Sequence, residues 1–168
     1  QVKEYKGYSI MGYSNSSDFS KDGKLLATSV DRKGIKIWEW PSAKLLVTLN
    51  CQASQIRFSP DGKNILVYFN DGPEVWDWEK NKKLFDLKGY EEGAVNTVRY
   101  SNDGKYIIAA GENAIRIWDA ITGKQVKSFP VKNEASFADF TPDGASIVYV
   151  VQQDDHDYLA VKDWKSGQ

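Results

Sequence analysis

Apolar and polar residues alternate along this chain with a period of two in Ile115-Arg116-Ile117 and Val126-Lys127-Ser128-Phe129. That spacing sends successive side chains to opposite faces of an extended strand. No stretch sustains the three-to-four-residue spacing of an amphipathic helix, so the chain reads as all-β. The strands follow a fixed order around one kind of turn. Phe19-Ser20-Lys21-Asp22-Gly23 returns as Phe58-Ser59-Pro60-Asp61-Gly62, Tyr100-Ser101-Asn102-Asp103-Gly104 and Phe140-Thr141-Pro142-Asp143-Gly144. Pro60 and Pro142 fit such turns because proline presets the backbone there. The turn glycines lie 39, 42 and 40 residues apart. A period near 40 in a strand-rich chain means repeated four-stranded units.

A second motif follows each turn, as Ile37-Trp38-Glu39, Val75-Trp76-Asp77, Ile117-Trp118-Asp119 and, degraded, Val161-Lys162-Asp163. Together the two motifs resemble those of the WD-repeat β-propellers, over essentially the whole chain. The resemblance implies blades of four antiparallel strands, at about 14-50, 54-88, 95-130 and 135-168, in one unit spanning 1-168. It places Trp38, Trp76 and Trp118 in the core between strands, each giving its indole N–H to a neighbour. Trp40, Trp78 and Trp164 lie two residues further on, at a turn, and are expected partly exposed on one rim. The hydrogen-bonded network of well-formed WD repeats is matched by Ser29, Asp31 and Trp38. Its histidine is replaced, by Gly7-Tyr8 and Gly89-Tyr90 where Gly-His is usual.

Glu4-Tyr5-Lys6-Gly7-Tyr8 matches Asp86-Leu87-Lys88-Gly89-Tyr90, so residues 1-6 are expected to be an outer strand with no blade of their own in front of them. The fourth blade stops at Ser166-Gly167-Gln168, before its outer strand, and residues 1-6 are the natural cover for that edge. A four-bladed ring within one chain is one closure. An eight-bladed ring, in which two chains exchange these strands as a homodimer, is the expected one, because broad aromatic side chains crowd a ring of four. A piece of a longer propeller is the competing reading, consistent with a start at Gln1. Asp18, Arg57, Arg99 and Asp139 occupy one equivalent position. They are expected to pair as Asp18 with Arg57 and Arg99 with Asp139 across blade boundaries, the alternative being four solvated side chains.

The charge balance changes this picture little. Twenty-two basic and 23 acidic side chains, with a pI near 5.9, give no field to attract nucleic acid or an anionic membrane. Cys51 stands alone, which excludes an internal disulfide and a cysteine cage for zinc. The absence of a long apolar run or signal-peptide core points to a soluble protein, with the cytoplasm favoured. Asp154-Asp155-His156-Asp157 is expected to be a solvated acidic hairpin and not a metal site. No phosphate loop, nucleophile elbow or zinc-protease motif occurs, so no catalytic residue, metal or cofactor is expected.

The loops before each first strand and the hairpins after each second strand share one face. Tyr8, Ile10, Met11, Tyr13, Arg32, Tyr90, Glu91, Asn113 and His156, with Glu112, Asn133 and Glu134, lie there. Exposed Tyr and Met favour an interface centre, although Ile10 and Met11 equally suit a channel plug. The function expected is a non-enzymatic scaffold that holds a protein or peptide partner. The alternatives are an accessory propeller of a larger hydrolase, resembling those of prolyl peptidases, and a small-ligand-binding propeller.

Overall fold

The computed structural model describes residues 16–29, 34–69, 72–90, 95–153 and 156–166. Thirteen strands and no helix occur among them. The chain divides into two compact units, residues 1–69 with 75–84 and residues 70–74 with 85–168.

The first sheet runs β1 (Ser16–Phe19), β2 (Leu25–Ser29), β3 (Ile35–Glu39), β4 (Lys44–Leu49) in sequence order. The second repeats that order with β5 (Gln55–Phe58), β6 (Asn64–Phe69), β7 (Gly72–Asp77) and β8 (Lys82–Asp86). The third sheet holds five strands in the order β13-β12-β11-β10-β9, where β9 is Val95–Tyr100, β10 Tyr106–Asp119, β11 Gln125–Phe140, β12 Ser146–Gln153 and β13 His156–Asp163. Two of these strands each cover two of the expected ones. β10 pairs with β9 through Gly111 and with β11 from Glu112 onward, and Asn113, left out of the pairing, has φ 63°. β11 pairs with β10 along Gln125–Pro130 and with β12 along Ala135–Phe140. Glu134 opposite Glu112 carries the ladder through the stretch where the sequence suggests a loop. The blades at 95-130 and 135-168 therefore share a continuous strand.

The four turns are copies of one hydrogen-bonded module. Each Ser or Thr hydroxyl donates to the Asp two residues on, at 2.7 Å for Ser20, Ser59 and Ser101 and 2.6 Å for Thr141. The same hydroxyl accepts the N–H that opens the next strand, from Leu25, Asn64, Tyr106 or Ser146. The Asp also accepts a main-chain N–H from Lys24, Lys63, Lys105 or Ala145. Glycine follows because its φ is 69–75° in all four, a region in which a Cβ is strained. The aspartates ending the third strands cap turns in the same manner. Asp119 accepts from the N–H groups of Ile121 and Thr122, and Asp163 from those of Lys165 and Ser166.

Each unit has its own core, and the two cores are equivalent residue for residue. In the first unit Ala27, Ile35 and Ile37 of one blade meet Ala53, Ile56, Phe58, Ile65 and Trp78 of the next. In the second, Ile108, Ile115 and Ile117 meet Ala135, Ala138, Phe140, Ile147 and Trp164. Trp38 and Trp118 are buried as expected; Trp76 is half-buried against the first core. Trp78 and Trp164 depart from expectation. Both are buried, each donating its indole N–H to the carbonyl of its own turn glycine, Gly62 (2.8 Å) and Gly144 (3.0 Å). The neighbouring blade supplies their cover: Tyr106 stands 4.7 Å from the Trp164 ring, and Leu25 packs against the core containing Trp78. Only Trp40 is exposed, with Phe19 edge-on at 5.2 Å.

Polar side chains stitch each blade boundary. Ser16 accepts the N–H of Ile56, and Thr97, its equivalent, accepts that of Ala138. Asp18 accepts the N–H of Phe58 at 2.8 Å, while the Arg57 guanidinium donates to the carbonyl of Ile56. Asp18 thus takes a main-chain donor where a pairing with Arg57 is expected, since the N–H of an inner strand lies within reach of a short carboxylate. The second expected contact is present: Arg99 Nε lies 3.4 Å from Asp139 Oδ2. This is proximity of opposite charges and not an aligned hydrogen bond, for Arg99 Nε is buried without an aligned acceptor. Asp139 turns its other oxygen to the N–H of Phe140.

Candidate interaction face

At one end of the second unit the start of β9, the bend of β10, the middle of β11 and the β12–β13 hairpin come to the same edge. Their residues form a polar rim. Asn96 donates its amide to Glu134 Oε1 at 2.6 Å and to the Ala135 carbonyl at 3.0 Å. Asn133 reaches the carbonyl of Gln152 at 3.2 Å. Glu112, Asn113 and His156 are exposed beside them, His156 paired across the hairpin with Gln153. The two asparagine amides of this rim are held by main-chain carbonyls, and the Glu134 carboxylate by the Asn96 amide. Among the described residues no cluster of histidine, cysteine or carboxylates is suited to hold a metal.

Tyr90 is positioned differently from the surface aromatic that the sequence suggests. It is half-buried, and its hydroxyl lies within hydrogen-bond distance of the carbonyls of Ala109 (2.8 Å) and Ala114 (2.7 Å). Those carbonyls belong to the two arms of β10, so the phenol braces the hairpin that carries Asn113. Its ring packs 6.0 Å from that of Trp118, and the Arg116 guanidinium lies over it at 4.4 Å, a cation–π distance. Burial pushes the phenol up to about 12, against the smaller opposing pull of Arg116. Gly89 makes room: its φ is 123°, and a Cβ there would stand 2.9 Å from Arg116 Nε.

Of the residues expected on this face, Asn113 and His156 are exposed on the rim and Tyr90 supports it from below. Tyr8, Ile10, Met11, Tyr13, Arg32 and Glu91 lie outside the described residues, as do Asp31 and residues 1-6. The indole of Trp38 is held by Thr28 Oγ1 at 2.9 Å, whereas the WD pattern points to Ser29. Ser29 instead accepts the N–H of Ser16. In blade three the indole of Trp118 donates to the Lys88 carbonyl. Asn96 has no signal in the sequence beyond an amide side chain one residue into an inner strand.

Repeated four-stranded antiparallel sheets with a shared turn, a tryptophan per repeat and hydrophobic seams define an all-β repeat protein. Residues 81–119, the segment from β8 to the Trp118-Asp119 pair, match the family model of the WD domain, G-beta repeat (WD40). Among solved structures it is similar to a chain of Kuenenia stuttgartiensis hydrazine synthase, with TM-score 0.79 and 18% identity over 99% of this chain and 50% of that one. The chain thus spans about half the length of that relative, and at this identity the likeness is one of fold alone. No curated protein matches it by sequence.

Proposed function

We propose that this protein is a non-enzymatic WD-repeat scaffold that holds a protein or peptide partner on the rim formed by Asn113, Glu134 and His156. The observation that carries this reading is the braced hairpin. Tyr90, Arg116 and the β10 bend fix exposed polar side chains on a rigid sheet edge, as display of recognition groups requires. In this reading the blades are half of an eight-bladed ring, residues 1-6 of each chain serving as outer strand to the fourth blade of the other.

The test compares rims. Asn113→Gly keeps the left-handed backbone and removes the side chain; combined with His156→Ala it is expected to reduce partner capture at least tenfold with thermal stability unchanged. Lys21→Ala with Lys63→Ala, in the Asp-Gly turns of the first unit, is the control. Equal capture by both variants would place the binding surface elsewhere.

A further inference from the structure

The two internal seams define what a blade of this protein presents on either side, and the chain's first and last blades carry those faces uncovered. On its leading side a blade buries an aromatic at the end of the inner strand and a tryptophan after the third strand: Phe58 with Trp78, and Phe140 with Trp164. Their equivalents in the first blade are Phe19 and Trp40, which are 48% and 36% exposed. On its trailing side a blade buries two apolar residues of the third strand, Ile35 and Ile37 or Ile115 and Ile117, all 0% exposed. Register fixes their equivalents in the fourth blade. Ala27 faces Ile37 and Ser29 faces Ile35 in the first blade; Val148 faces Val161 and Val150 faces Leu159 in the fourth. Leu159 and Val161 are 70% and 62% exposed.

A chain with one uncovered leading face and one uncovered trailing face is complementary to itself, head to tail. We propose that these faces dock a second copy of this chain: Leu159 and Val161 of one copy seat against Phe19 and Trp40 of the other, reproducing the Ile35/Ile37-to-Phe58/Trp78 seam. The occupant follows from that internal seam, in which the same side-chain types at the same register already exclude water. Solvated, each face leaves exposed a pair of apolar side chains whose equivalents the internal seams bury, as an association site does. The inference rests on the homodimer reading above and is separable from it, because a chain lacking residues 1-6 keeps both faces.

Sedimentation of the full chain reads the result. The wild type is expected near twice 19.0 kDa, and Phe19→Asp and Leu159→Asp, both at exposed sites, are each expected to sediment as monomers with native β-sheet circular dichroism. An equimolar mixture of the two variants is expected to recover a dimer, since it pairs one intact trailing face with one intact leading face. Val161→Asp replaces Leu159→Asp if the latter loses its fold. A wild-type monomer at every concentration overturns the proposal. A dimer that survives both substitutions and is lost on deleting residues 1-6 overturns it too while leaving strand exchange standing. Monomeric variants that fail to recover on mixing exclude the head-to-tail geometry.

Discussion

At the scale of single residues, Tyr90 has the most to say, because the structure gives it a task that its sequence context conceals. Tyr90→Phe keeps the ring against Trp118 and Arg116 but removes the one hydroxyl proton that the Ala109 and Ala114 carbonyls share. A loss of about 1–2 kcal/mol in urea unfolding is expected. The phenol also has a pH signature. Its folded value of about 12 lies above the ordinary 10.0, so its contribution is complete below pH 10 and is lost as pH rises towards 12, the unfolded chain ionising first. Tyr90→Phe is expected to be less alkali-sensitive than the wild type over that window, and an unchanged slope would assign the alkaline loss to other groups. Gly123 is the second such residue. Its φ is 68° and a Cβ would stand 2.5 Å from the Phe85 ring, so Gly123→Ala should cost at least about 1 kcal/mol. The sequence marks Gly123 only as a turn glycine; the contact with Phe85, 38 residues away, has no local signal.

At the scale of elements, the four turns account for most of what could be read in advance. Their hydrogen bonds close within six residues, from Ser20 to Leu25 or from Thr141 to Ser146, so the local sequence holds the whole device. The rim tryptophans were opaque for the opposite reason: the cover over Trp164 comes from Tyr106, in another blade. Ser101→Ala removes a buried hydroxyl that donates to Asp103 and accepts from Tyr106, and about 1–2 kcal/mol of destabilisation is expected from equilibrium denaturation. The turn carboxylates share a pH dependence. The N–H of Lys105 and the Ser101 hydroxyl hold Asp103 below its ordinary 3.8. The Ser20 and Thr141 hydroxyls, followed by main-chain N–H groups, do the same for Asp22 and Asp143. For Asp61 burial acts upward and is outweighed by Ser59 and the Lys63 N–H. Groups depressed on folding stabilise fully above their unfolded value and lose that contribution as pH falls through the folded one. Stability should therefore fall from about pH 4 downward, and replacing all four by Asn should flatten that limb of the acid titration. Persistence of the full acid slope would assign it to the other carboxylates, among them Asp119 and Asp163.

At the scale of the whole molecule, the period of 40 makes the blades legible, but the seams between them only in part, because a seam joins residues whose only relation in sequence is a shared offset; the approach of Arg99 to Asp139 is legible that way. Asp18 and Arg57 illustrate the difficulty. Equivalent positions and opposite charges suggest a pair, yet Asp18 accepts the N–H of Phe58 while Arg57 donates to the Ile56 carbonyl. With one core per unit, stability is expected to behave as a sum of blade and seam contributions in which damage stays near its source. Phe58→Ala and Phe140→Ala delete equivalent rings, buried to within a few per cent of each other, and each should cost about 3–5 kcal/mol locally. Native-state hydrogen exchange distinguishes the two. Phe58→Ala is expected to lose protection in β2, β3, β5 and β6 while β10 to β12 keep theirs, and Phe140→Ala to show the reverse. Uniform loss across both units would mean that the seams couple the chain into a single cooperative block. Each blade would then owe its stability to all the others and not to its neighbour alone.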